Sequence, residues 1–225
     1  MTKAKSVILV HGAWADGSSW AKVIPLLTAR GVKVTAIQMP LTGFADDIAS
    51  LRRALALSEG PVVLAGHSYG GAVITEAGTD EKVSGLVYIA AFAPDAGESA
   101  GSLAQTVPPP PMAAEVQPDE NGFLKISENG IRTGFAQDLT PAEQEILFAA
   151  QGPTAIASLA GAVSIPAWRS KPVWYMVASE DRAIQPDLER TMAKRMQATV
   201  VEVPASHVAM LANPAATAEL IAQAL

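Results

Sequence analysis

Short apolar runs punctuate the chain at residues 6–10, 32–37, 62–65, 83–91, 173–178 and 199–203. Runs of this length, rich in Val and Ile and bounded by glycine, proline or charge, predict strands buried on both faces. Between most of them the apolar positions recur at three- and four-residue intervals. The clearest case is Phe44, Ile48, Leu51 and Leu55, with Arg52 and Arg53 to one side, which predicts an amphipathic helix with one face on a sheet. Val23, Leu26, Leu27 and Arg30 keep the same spacing. Ser18 or Ser19 is placed to cap that helix, and Gly31 to stop it. Strands that alternate with helices are joined by crossovers, so the pattern predicts an α/β fold: a doubly wound parallel sheet of about six strands.

The alternation breaks between about residues 94 and 172. Pro108 to Pro111 form a proline run, and Asn129-Gly130 separates two short apolar stretches, 123–126 and 131–133, as a hairpin would. Thr140-Pro141-Ala142-Glu143 carries a capping threonine, a first-turn proline and an acid at the capping-box position, which predicts a helix through Ile146 and Leu147. The segment reads as an insertion, about 95–165, within a single domain of residues 1–225. Its place after the fourth strand makes it a lid over one edge of the sheet.

The chemistry centres on Gly66-His67-Ser68-Tyr69-Gly70-Gly71, between a buried strand and a helical stretch. Gly-x-Ser-x-Gly in that context is a nucleophile elbow: the apex residue is strained, and small neighbours clear its path. Ser68 is the candidate nucleophile. A serine needs a base and a group to orient it. Of the three histidines, His67 is adjacent to the apex and leaves the turn in another direction, and His11 ends the first strand and braces its loop. His207 follows the last strand and can reach the elbow. The acid is expected after the fifth strand, where Glu180 and Asp181 compete; the shorter Asp181, one step further into the loop, is preferred. The order serine, acid, histidine is that of hydrolases with this elbow. The backbone N–H groups of Ala13 and Tyr69 are the candidate oxyanion hole. Trp14, Tyr69, Phe92, Phe135, Trp168 and Met210 could line a pocket or fill the core equally well.

Composition narrows the remaining classes. A formal charge of −6 with no basic patch argues against a nucleic-acid partner, and no stretch is apolar for long enough to span a bilayer. Without cysteine there is neither a disulfide framework nor a thiolate nucleophile. The opening residues, Met1-Thr2-Lys3-Ala4-Lys5, lack the pattern of a signal peptide, so the cytoplasm is the expected compartment. The triad calls for no cofactor and no metal, and its partner is a small-molecule ester.

Val7-Ile8-Leu9-Val10-His11-Gly12-Ala13-Trp14, Trp20 with Pro25-Leu26-Leu27, and Gly31-Val32-Lys33-Val34-Thr35-Ala36 resemble the α/β-hydrolases, in the branch of plant methyl-ester hydrolases, hydroxynitrile lyases and bacterial homologues. The resemblance covers nearly the whole chain. It implies a sheet lacking the first two strands of the full superfamily. The lyases place a threonine where Gly12 stands and a lysine where Val208 follows the histidine; both departures favour ester hydrolysis over cyanide chemistry. A serine nucleophile also disfavours epoxide hydrolysis and dehalogenation. The expected function is a serine carboxylesterase. Lactone or carbon–carbon bond hydrolysis at the same triad is the alternative, and a ligand-binding protein on this fold is less favoured.

Overall fold

The computed structural model describes residues 6–225; residues 1–5, and with them the reading of the opening stretch, lie outside the described residues. Strands β1 (Ser6–Val10), β2 (Lys33–Ala36), β3 (Val62–Ser68) and β4 (Val83–Ala91) precede three short strands, β5 (Val116–Pro118), β6 (Phe123–Ile126) and β7 (Thr154–Ala155). Strands β8 (Val173–Ala178) and β9 (Thr199–Val203) follow. Six of these form a parallel sheet in the order β2-β1-β3-β4-β8-β9, as the alternation predicts.

Every residue of β3 is buried, so both faces of the sheet centre are covered. The edge strands β2 and β9 are partly exposed. Helix α1 (Ile24–Thr28) packs with the C-terminal helix, residues 214–224, while α2 (Phe44–Ala56) packs on α3 (Gly70–Ala77). Phe44, Ile48, Leu51 and Leu55 of α2 are all buried, the face that their spacing predicts. Among the described residues no helix is long and apolar enough to cross a membrane.

Two local expectations need correction. Ahead of α1 the cap is Asp16, whose Oδ1 accepts from Ser18 N at 2.6 Å; it starts a short 3-10 turn, Gly17–Trp20, and neither Ser18 nor Ser19 caps a helix. The α-helix proper begins only at Ile24, and Leu26 stays partly exposed. Gly31 does end the segment, with φ of 76°.

The second correction concerns Asn129-Gly130, which is not a hairpin turn. Ser127 Oγ accepts from Gly130 N at 2.9 Å, capping a helical turn, α5 (Glu128–Gly130), that continues as a wider turn to Phe135. Strand β6 pairs instead with β5 and with β7, both antiparallel. The turn between β5 and β6 is built on Asp119, whose Oδ1 accepts from Asn121 N and Phe123 N, both at 2.8 Å, with Gly122 at φ 80°. A capping serine outcompetes a turn-forming dipeptide here because its hydroxyl satisfies a helical N–H directly.

The rest of the insertion is helical: α4 (Ala100–Ala104), α6 (Pro141–Ala150) and α7 (Ile156–Ala160). Helix α6 starts with the expected capping box, Thr140 with Glu143. After β8 comes α8 (Pro186–Arg195), and after β9 come α9 (Ala209–Ala212) and α10 (Pro214–Ala224).

Candidate active site

Strand β3 passes into α3 through Ser68, whose φ of 54° lies in the left-handed region that a side chain adopts only when its surroundings enforce it. The enforcement is visible around Gly70, where an added Cβ falls 2.5 Å from His11 O and 2.6 Å from Val10 O. Only glycine lets α3 start this close to the end of β1.

Three loops converge on Ser68. His207 Nε2 lies 2.8 Å from Ser68 Oγ, and His207 Nδ1 lies 2.6 Å from Asp181 Oδ2. The other Asp181 oxygen accepts from Ala183 N at 2.6 Å and Ile184 N at 2.9 Å, which fixes the carboxylate plane. Glu180, the competing acid, is exposed; among the described residues only its backbone is engaged, through Glu180 N to Ala205 O and Gln137 Nε2 to Glu180 O. Ser68, Asp181 and His207 are all buried.

The other two histidines stand where the sequence puts them. His67 Nε2–H donates to His207 O at 2.9 Å, and its ring packs 4.8 Å from the His207 ring, with Phe135 5.1 Å away. Burial, and then the neighbouring His207, hold the His67 pKa well below its usual 6.5, so it serves as a neutral brace. His11 accepts from Met39 N at its Nε2, 2.9 Å, and donates from Nδ1 to Gly12 O, 2.8 Å. Burial lowers its pKa too.

The loop after β1 runs against Ser68. A Cβ added at Gly12 falls 2.7 Å from Ser68 Cβ, so a threonine there requires the elbow to shift. Ala13 and Tyr69 border the same cavity as Ser68 and His207, and among the described residues neither of their amides donates to a backbone acceptor in a turn or loop. The cavity has a volume of about 160 Å³, and Trp14, Phe92, Met112, Leu159 and Ile184 help to wall it. Of the six candidate pocket residues, Trp14, Tyr69 and Phe92 line it. Phe135 packs on His207 instead, Met210 is core, and Trp168 donates its indole N–H to Pro94 O.

A match to the model of the alpha/beta hydrolase family covers residues 7–220. The chain belongs to the α/β-hydrolase family. A pyrethroid hydrolase of Sphingobium wenxiniae is 31% identical over 250 aligned residues, covering 96% of this chain and 86% of that protein. Methylesterase 1 of Arabidopsis thaliana is 28% identical, covering 86% of this chain and 85% of that protein. The crystal structure of a pyrethroid hydrolase from Sphingobium faniae superposes with a TM-score of 0.84 at 26% identity, over 98% of this chain and 97% of that one.

Two buried acids of this α/β-hydrolase escape the sequence reading. Asp47 on α2 accepts from Tyr69 Oη at 2.7 Å, Leu41 N at 2.8 Å and Ser158 Oγ at 3.0 Å. Glu189 on α8 accepts from Ala178 N at 3.0 Å and is buried beside Asp181. The signal for both is helical phase. Asp47 shares a face with Phe44 and Leu51, and Glu189 with Met192 and Ala193, all buried.

Burial, and then the Asp181 charge, raise the Glu189 pKa well above its usual 4.5; Tyr175 and Arg190 are its other ionisable neighbours. Among the described residues Glu189 Oε1 has no hydrogen-bond partner, so nothing there offsets the cost of burying a carboxylate charge. Above pH 4.5 the unfolded chain releases this proton and the folded chain keeps it, so the fold loses stability as pH rises. Glu189→Gln removes that loss while keeping a donor and an acceptor. Urea unfolding at pH 5, 6 and 7 should find the variant gaining on the parent by about 1.4 kcal/mol per pH unit while the native acid stays protonated. A difference independent of pH rules out the neutral acid.

Proposed function

We propose that this chain is a serine carboxylesterase that cleaves small neutral esters through an acyl-enzyme. The observation that carries the reading is the hydrogen-bonded series Ser68–His207–Asp181, at 2.8 and 2.6 Å, opening on an apolar cavity. Ser68 Oγ attacks the ester carbonyl as its proton passes to His207 Nε2, and Asp181 holds the imidazolium through Nδ1–H. The oxyanion is met by the N–H groups of Ala13 and Tyr69. His207 then gives its proton to the departing alcohol and takes one from water as that water attacks the acyl-enzyme; the proton returns from His207 to Ser68 Oγ as the acid leaves. The relatives named as a methylesterase and a pyrethroid hydrolase support a hydrolytic reaction. The close fit of Gly12 on Ser68 supports ester hydrolysis over the threonine-dependent lyase reaction.

The residues lining the cavity include no Lys, Arg, Asp or Glu, so a substrate carboxylate entering it would be desolvated without a cationic partner. A volume of about 160 Å³ suits a group near the size of benzene, which fills an apolar cavity of about 150 Å³. Nitrophenyl acetate, butyrate, benzoate and hemisuccinate, with a methyl ester and a lactone, form the decisive panel. Butyrate and benzoate should exceed hemisuccinate in kcat/KM by at least about tenfold. Preference for hemisuccinate overturns the neutral-substrate reading, and turnover confined to the lactone overturns the esterase.

A further inference from the structure

One short stretch of the insertion, residues 154–158, reaches the neighbours of both candidate oxyanion donors. Thr154 Oγ1 accepts from Trp14 N at 3.0 Å, and Leu124 O, beside Thr154 in the β6–β7 ladder, accepts from Trp14 Nε1 at 2.9 Å. Trp14 follows Ala13 directly, so both of its N–H groups are held by the inserted sheet. On the other side, Ser158 Oγ donates to Asp47 Oδ2 at 3.0 Å, the same oxygen that accepts from Tyr69 Oη at 2.7 Å. Leu41 closes the circuit: its N–H donates to Asp47 Oδ1 at 2.8 Å, and its carbonyl accepts from Ala155 N at 2.8 Å.

Thr154, Ser158 and Asp47 are buried, so water does not compete for these bonds. Trp14 and Leu41 have φ of 57° and 58°, a region that their side chains disfavour, and each is held there by a bond to this one stretch. An oxyanion hole works by pre-organisation: its donors must point at the developing charge before it forms, and misplacement on the ångström scale costs orders of magnitude in rate.

We propose that Thr154 and Ser158 are positioning residues for the oxyanion hole, Thr154 by fixing the peptide that follows Ala13 and Ser158 by fixing, through Asp47, the side chain of Tyr69. The inserted segment then does more than roof the pocket: it aims the two amides. This rests on the esterase reading above. Neither residue touches the substrate, and neither belongs to the Gly-x-Ser-x-Gly elbow or to the triad.

The test uses the full chain with nitrophenyl butyrate. Thr154→Val keeps the shape of the side chain and removes the acceptor; Thr154→Ser keeps the acceptor and removes a methyl group. Thr154→Val and Ser158→Ala should each lower kcat by about 10- to 100-fold with KM within about twofold. Thr154→Ser should stay within about threefold of the parent. Affinity for a boronic acid that forms a tetrahedral adduct on Ser68 should fall in parallel with kcat. Equal losses for Thr154→Ser and Thr154→Val, losses confined to KM, or unchanged kcat in the folded variants each overturn the proposal. If Thr154→Val does not fold, Ser158→Ala with Thr154→Ser decides by the same criteria. Ser68→Ala run alongside separates the two readings. When it is inactive and the positioning variants are unaffected, only the positioning proposal fails; when it turns over like the parent, the esterase itself fails.

Discussion

Ser68→Ala is expected to turn over aryl esters about 10^5- to 10^6-fold more slowly than the parent and to take no label from a fluorophosphonate. The hydroxyl sits at the left-handed apex between β3 and α3, 2.8 Å from His207 Nε2, and the substitution deletes one oxygen from a buried site. Alanine tolerates that backbone about as well as serine does, so the fold should survive and the loss should fall on chemistry. Mass spectrometry of the labelled peptide identifies the site, and labelling of the alanine variant at the parent's rate would reassign the nucleophile.

Asp181→Asn is expected to cost about 10^4 in kcat, whereas Glu180→Gln stays within about twofold of the parent. The reason is tautomeric. Ala183 N and Ile184 N both donate to Asp181 Oδ1, so an asparagine keeps its carbonyl oxygen there and turns its NH2 group toward His207 Nδ1. Nδ1 must then accept, the ring proton moves to Nε2, and the nitrogen facing Ser68 is no longer a base. Glu180 points to solvent and holds neighbouring loops only by its backbone. Single-turnover acylation of the two variants tests the assignment, and the reverse ranking gives the role to Glu180.

The parallel sheet was legible because its central strands are buried on both faces, which leaves apolar runs: β1, β4 and β8 have the bounds of those runs. At the edge, β2 is shorter than its run: it has one neighbour, β1, and pairs with it over Lys33–Ala36. The elbow and the histidine loop were legible because strand ends on one side of a parallel sheet meet in space. The buried polar network was not. Thr154 and Trp14 lie 140 positions apart, and a threonine that accepts one bond from a distant backbone amide leaves no periodic trace. Asp47 and Glu189 show in their helical phase only once the buried face of each helix is known. The supposed hairpin at Asn129-Gly130 shows the limit of local turn chemistry: Ser127, two positions earlier, offered the backbone a helical cap.

The cavity walls contain Ala100, Gly101, Ala104 and Ala113, side chains that are already near the minimum a protein can have. At Gly101 even a methyl group would come within 3.2 Å of Leu159 O. Adaptation of substrate range is therefore one-sided at these positions: single substitutions make the pocket smaller, and the backbone would have to move for them to do otherwise. Room for bulkier acids can be opened by side-chain change at Met112, Leu159 and Ile184, so variants selected for larger esters should accumulate there, and variants selected for acetate should accumulate on the alanine wall.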